Sequence, residues 1–294
     1  MADSLTERPV LIQELVSLFL CKDNTFLKLL QIGKFLSLNV NASSFLHIPG
    51  MKLKDIYKVL ALIVTVFLIS SCTVYKSPKK WELSWEENFS ELRDTVWEVS
   101  DRFFSNDIVK FVPGNVKIKD STLFLEINKP NKRNKYYEGA EISTRKTFGY
   151  GLYEVVMKPA EGNGIISSFF TLMATSRPGN EIDIEFLGKN PRFVVFNTWD
   201  KKGRENPLTY RLPFIPTKKY HSYTFEWTPR KITWYVDGRK KHSTRKRIPE
   251  TPHHIFMNIW VSENEDWVGK PARDFEAAFA AYQSIRYYSR KERK

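Results

Sequence analysis

From Trp81 onward the chain alternates apolar and polar residues in short runs, and no long amphipathic helical pattern interrupts them. The runs include NVKIKD, TLFLEINK, GLYEVVMKP, GIISSFFTLM, EIDIEFLG, RFVVFNTW, SYTFEWTP, KITWYVDG, HIFMNIW and QSIRYYS. Successive side chains of a strand point to opposite faces, so each run reads as a strand with one face in a core. Breakers punctuate them at Pro113-Gly114, Gly162-Asn163-Gly164, Pro178-Gly179 and Asp237-Gly238. KITWYVDGRKKHS is itself a hairpin turning on Asp237-Gly238. Many short strands joined by such turns predict an all-β sandwich. With 42% hydrophobic and 14% aromatic residues, the chain can fill that core and still leave aromatics for a binding surface. It holds no internal repeat and no low-complexity tract.

The first eighty residues have another character. MKLKDIYKVLALIVTVFLISSC, from Met51, orders a positive stretch (Lys52, Lys54), an apolar stretch (Val59 to Ile69) and small residues before Cys72. That is the order of a secretory signal. Its apolar run falls short of the roughly 20 residues that a membrane span needs. The ending Leu68-Ile69-Ser70-Ser71-Cys72 resembles a bacterial lipobox, which makes Cys72 the expected lipidated residue. A plain membrane anchor or a buried helix is the alternative. Signals are N-terminal, so residues 1–50 are expected to be a mis-assigned extension ahead of a true start at Met51. A real cytoplasmic extension would instead leave the apolar segment as an anchor. Residues 73–80 read as a tether, and 81–294 as the folded domain. The expected location is across the inner membrane, held by lipid at the outer membrane or cell surface of a bacterium. Only Cys21 and Cys72 occur, both outside the expected domain, so no disulfide supports it.

The net charge of +13 raises nucleic acid, an anionic envelope and acidic polysaccharide as partners. The basic residues are scattered over turns and the terminus (KSPKK, NKRNK, GRKKHSTRKR, RKERK), without a nucleic-acid module. They read as solvated loops with some attraction for anionic surfaces. No nucleic acid is expected, and no phosphate loop, metal cluster or redox motif calls for a cofactor.

One strand carries an expensive pattern. In NEIDIEFLGKN, Glu181, Asp183 and Glu185 share one face, and the apolar residues Ile182, Ile184 and Phe186 share the other. Neighbouring carboxylates repel, which raises the pKa of at least one. A half-buried strand with a solvated acidic face is the plain alternative. A use exists, however. Retaining hydrolysis of a glycosidic bond needs two carboxyl groups roughly 5–5.5 Å apart, one as nucleophile and one as acid/base. Positions i and i+4 lie roughly 13 Å apart at Cα on a straight strand, and long Glu side chains on a curved strand can lean together. An acid/base must stay protonated near neutral pH, and negative neighbours raise its pKa.

EIDIEFLG is similar to the catalytic strand of glycoside hydrolase family 16, and the similarity extends from about Asn88 to Tyr287. EISTRKTFGYGLYEVVMKP, GIISSFFT, VVFNTW, YHSYTFEW, ITWYVDGRKKH, IPETPHHIFMNIW and EDWVG follow the order and spacing of bacterial lichenases, the endo-β-1,3-1,4-glucanases. The resemblance implies a concanavalin A-like jelly-roll sandwich of two antiparallel sheets with a concave substrate cleft. It implies Glu181 as nucleophile, Asp183 as assisting carboxylate and Glu185 as acid/base. For the cleft it implies substrate contacts from Glu141, Phe104, Asn106, Asn197, Trp199, Trp260 and Trp267. Trp227 and Trp234, inside YTFEW and ITWYV, are assigned to the core. The implied substrate is a β-glucan, and the protein is expected to act as a monomer.

The chain departs from the lichenase pattern in places. Gly179 and Asn180 stand where that pattern has Trp-Asp, Phe104 replaces a tyrosine, Ser143 an arginine, and Gln283 the aspartate of a calcium site. A paired-cysteine disulfide is also missing. The strand lacks the extra residue of the bulged form seen in many laminarinases, which favours the lichenase branch. An exopolysaccharide depolymerase or transglycosylase of the same family is the competing enzyme. A non-catalytic carbohydrate-binding sandwich would be expected to lose a catalytic carboxylate, and all three are present.

Overall fold

The computed structural model describes residues 80–106, 108–173, 180–200, 202–205, 207–272 and 275–291. They belong to one compact unit, Tyr75–Lys294; the other, Met1–Val74, lies outside the described residues, as do Cys72, the signal-like segment and the expected tether up to Lys79. The strands are β1 (Trp81–Glu87), β2 (Trp97–Val99), β3 (Arg102–Phe104), β4 (Val109–Phe111), β5 (Val116–Lys119), β6 (Thr122–Asn128), β7 (Tyr137–Thr144), β8 (Gly151–Lys158) and β9 (Ile165–Met173). They continue with β10 (Asn180–Leu187), β11 (Phe193–Asp200), β12 (Gly203–Arg204), β13 (Leu208–Arg211), β14 (His221–Thr228), β15 (Lys231–Val236), β16 (Arg239–Thr244), β17 (His254–Val261) and β18 (Ala277–Arg290). A single helical turn, α1 (Glu265–Val268), separates the last two.

These strands form two layers. The outer sheet runs β16-β15-β14-β8-β18; along its free side β18 takes β6 on its first half and β1 on its second, and β5 adds to β6. The inner sheet runs β2-β7-β17-β9-β10-β11-β13, with β12 against the end of β11. Strand β7 serves both: its start pairs with β4 and β6, and the rest with β17 and β2. Among the described pairings only β4–β7 is parallel. The all-β sandwich is therefore present, with that one exception to the antiparallel rule.

Alternation explains the core. Tyr153, Val155 and Met157 of β8, and Tyr223, Phe225 and Trp227 of β14, pack from the outer sheet. Ile182, Ile184 and Phe186 of β10, and Ile255, Met257 and Ile259 of β17, meet them from the inner one. Each such side chain contributes about 1.5–3 kcal/mol when fully buried. The core tryptophans also place their N–H groups: Trp227 donates to Pro249 O (3.0 Å) and Trp234 to Asp183 O (3.1 Å). The second bond ties the acidic strand to the outer sheet. The β15–β16 hairpin turns where the sequence predicts, with Asp237 and Gly238 both at positive φ (48° and 70°), as a type I′ turn requires.

Candidate active site

Directly paired residues of antiparallel neighbours point to the same face, so register decides which side chains meet on the open side of the inner sheet. Strand β10 lies between β9 and β11. Glu181 pairs with Leu172 on one side and Trp199 on the other, and Trp199 pairs with Arg204. Asp183 pairs with Phe170 and Asn197, and Phe170 with Phe256. Glu185 pairs with Ser168 and Val195; beyond Ser168 follow Asn258 and Glu141. Three rows thus cross the open face, each with one carboxylate near its middle.

The environment sets the charge of each. Asp183 is buried (3% exposed), while Glu181 and Glu185 keep an open side toward solvent. Burial pushes Glu181 up to about 7; its hydrogen bond with Asp183 opposes this, and the negative charge of Glu141 adds to it. Burial drives Asp183 well above the usual carboxylate range, reinforced by the charges of Glu181 and Glu185, with Asn197 hydrogen-bonding its ionised form. Glu185 reaches about 8, through burial and then the Glu181 charge, with Arg204 pulling the other way. The row therefore retains protons at neutral pH and titrates as a unit.

The sequence-predicted cleft residues fall into two groups on either side of this row. On the β17 side, Trp260 lies 5.0 Å from Phe104, edge to face, and 6.1 Å from Trp267 on α1. Asn106, exposed, hydrogen-bonds Glu263. On the other side stands Trp199, half-buried, with Asn197 nearly covered beside Asp183. Glu141 shares the face but is 3% exposed, and its oxygens are taken by Ser100 (2.9 Å), Arg102 (2.7 Å) and Asn258 (3.3 Å). A guanidinium thus reaches Glu141 from Arg102 although Ser143 supplies none. Trp227 and Trp234 are core residues, as assigned.

Sequence reasoning missed Arg102, Arg204, Phe170, Phe256 and Asn258. Arg102 covers Phe104 and Phe111 (5.1 and 5.3 Å), and Arg204 covers Trp199 (5.3 Å). Their roles come from partners across strands, which local alternation does not announce. The parity of HIFMNIW could have found Phe256 and Asn258, since both lie on the face of Trp260.

Gln283 lies at the irregularity between Tyr282 and Ser284 where β18 pairs with β8. Among the described residues no three His, Cys, Asp or Glu side chains gather to hold a metal ion. Gln283 offers a neutral carbonyl where the lichenase pattern offers a carboxylate, and hard cations prefer the charged oxygen, so calcium dependence is expected to be weak or absent. Millimolar calcium should move the melting temperature little or not at all. A rise of many degrees would show that other oxygens complete a site.

A two-layer β-sandwich with paired glutamates and flanking aromatics on one open sheet has the makings of a polysaccharide hydrolase. The family profile described as "Glycosyl hydrolases family 16" matches residues 105–277. A beta-glucanase of Bacillus amyloliquefaciens is 35% identical over 237 residues, 78% of this chain and 98% of that protein. Among solved structures, a beta-1,3-1,4-glucanase (lichenase) from a mouse hindgut metagenome aligns with TM-score 0.65 at 35% identity, covering 69% of this chain and 97% of the other. The Bacillus licheniformis beta-glucanase aligns with TM-score 0.66 at 34% identity, covering 72% and 99%. The chain belongs to glycosyl hydrolase family 16.

Proposed function

We propose that this enzyme is a retaining endo-β-1,3-1,4-glucanase. The observation that carries the mechanism is the carboxylate row, in which Glu181 and Glu185 share one face and flank a buried Asp183, burial pushing them up to about 7 and about 8. In the first displacement an ionised Glu181 oxygen bonds to the anomeric carbon while Glu185 gives its proton to the departing glycosidic oxygen. In the second, Glu185 takes a proton from water, whose oxygen displaces Glu181 and restores the β configuration. Asp183, hydrogen-bonded to Glu181 and protonated, lets the nucleophile hold its charge in a crowded row. Trp260 and Trp199 sit three strand spacings apart and about six residues apart along the strands, roughly 14 Å across and 20 Å along. A glucan lying between them passes over the carboxylates with chain continuing on both sides, which suits internal cleavage.

The test is incubation with barley β-glucan, lichenan, laminarin, xyloglucan and agarose, followed by product analysis. Barley β-glucan and lichenan should be cut fastest, at bonds inside the chain, with the β-anomer released first. Because Glu185 stays protonated until about pH 8, the alkaline limb of kcat/KM should fall near there. Release of the α-anomer, or preference for laminarin or agarose, would sink the reading. A second reading, transglycosylation or exopolysaccharide depolymerisation, is favoured by Phe104, which offers no hydroxyl beside Trp260. Oligosaccharide acceptors at high concentration distinguish it by the appearance of longer products.

Export and lipid attachment through Cys72 belong to the same proposal and rest on the order of residues from Met51 to Cys72. Cys72→Ser should release the protein from the membrane fraction or stop its maturation. Mass spectrometry finding an unmodified Cys72, or peptides from residues 1–50 in the mature protein, would overturn it.

A further inference from the structure

At the edge of the inner sheet, where Arg204 leaves the open face beside Trp199, lies a groove that the proposed reaction does not use. It encloses about 440 Å³ and is lined by Asp200, Lys202, Arg204, Glu205, Lys246 and Arg247. A second hollow of about 470 Å³ adjoins it along Glu205 and Lys246, where Arg245 and His242 join the wall. The segment after β16 is seated against β11, since Thr198 Oγ1 donates to Arg247 O at 2.7 Å. This brings part of the run GRKKHSTRKR to the edge of β11 on the side opposite Trp199, where only Arg204 of the groove lining also shares the row of Glu181 and Trp199.

Cations outnumber carboxylates there. Asp200 pairs with Arg247 at 3.3 Å, and Glu205 reaches Lys246 only at 3.8 Å. Among the described residues no carboxylate within ion-pair distance answers Lys202 or Arg204, and Arg204 lies over the Trp199 ring. The opposite end of the face differs, for its Arg102 is bound by Glu141. A neutral glucan has no need of unpaired cations at one end of its path. An anionic group needs them, and Arg204 would stand between such a group and the carboxylate row.

We infer that this groove is a subsite for a carboxylate carried by the polysaccharide, either an acidic sugar or an acidic substituent on a glucan chain whose neighbouring ring stacks at Trp199. The inference rests on the proposed glucanase reading and names the charge of its substrate. An anionic membrane could attract the same cations, but it would not require one of them, Arg204, to continue the row of Glu181 and Trp199.

The test compares barley β-glucan with the same glucan lightly carboxymethylated, using the full chain and the Lys202→Gln/Lys246→Gln variant. At low salt the unaltered protein should favour the charged glucan several-fold in kcat/KM, and this preference should vanish at high ionic strength, where the screening length falls to about 3 Å at 1 M. The double variant should cut neutral glucan as before and lose the preference. Affinity electrophoresis of Glu181→Gln protein through gels holding each glucan reads binding without hydrolysis. Retardation should be stronger in the charged gel and fall to the neutral level when the two lysine substitutions are added. Equal rates and retardation on both glucans would overturn the inference, as would equal losses on both in the double variant. So would a variant that loses only its binding to phosphatidylglycerol vesicles. If neither glucan is cut, the glucanase reading fails, and electrophoresis still decides the subsite.

Discussion

Glu181→Ala and Glu185→Ala should both lose activity on β-glucan, and azide should restore each on an activated β-glucoside with opposite stereochemistry. Loss of the general acid/base costs roughly 10²–10⁴-fold, and loss of the nucleophile at least as much, because no covalent intermediate can then form. Removing Glu181 opens space on the face the nucleophile used. Azide attacks there in one displacement and leaves an α-glycosyl azide. Removing Glu185 leaves the nucleophile, so a substrate with a good leaving group still forms the intermediate. Azide then intercepts it in a second displacement, and the product is β. Asp183→Asn should slow both steps without altering configuration, since it acts through Glu181. NMR of the anomeric proton reads the result. Reversed configurations would exchange the two roles; two fully active variants would reduce the row to a solvated face.

Gly188→Ala should be the most damaging single methyl group near this site. The carboxylate-bearing strand β10 ends at Leu187, and Gly188 then passes the Gly162 turn at backbone contact distance. A Cβ on Gly188 would stand 2.8 Å from Gly162 N, among backbone atoms that cannot rotate away. The same crossing is held by Gly162 N–H to Gly188 O (3.2 Å) and Gly188 N–H to Ile165 O (2.8 Å). Making room breaks these bonds and shifts the end of β10. Overpacking of this kind costs about 1–3 kcal/mol, and each lost hydrogen bond about 1 more. For a domain of this size that lowers the melting temperature by roughly 10 °C. A variant that melts like the parent would show that the turn yields freely.

The local part of this design is legible in the sequence and the non-local part is not. Alternation in EIDIEFLG sets the shared face of the three carboxylates, and Asp237-Gly238 sets its hairpin, because each depends on adjacent residues. The first half of β18, AAFAAY, escapes alternation: alanine serves either face, so a strand read from Gln283 begins at Ala277. Strands β12 and β13 are too short to show a period. Arg102 meets Glu141 across 39 positions, a pairing that depends on β7 reaching both sheets. The family resemblance supplied Trp199, Trp260 and Trp267, which alternation could equally have assigned to the core.

Strand β18 pairs with β8, β6 and β1, so Trp81 lies opposite Arg290 and nearly the whole domain separates two neighbours. Its consequence concerns time. Without β18 the outer sheet is two fragments, β16-β15-β14-β8 on one side and β6-β5 on the other, with β1 attached to neither. Long-range pairing of this kind is slow to form. A ribosome extending the chain therefore cannot release a closed sandwich strand by strand. The sheet is completed only after the last fourteen-residue strand has emerged, and until then the edges of β8 and β6 need protection from other chains.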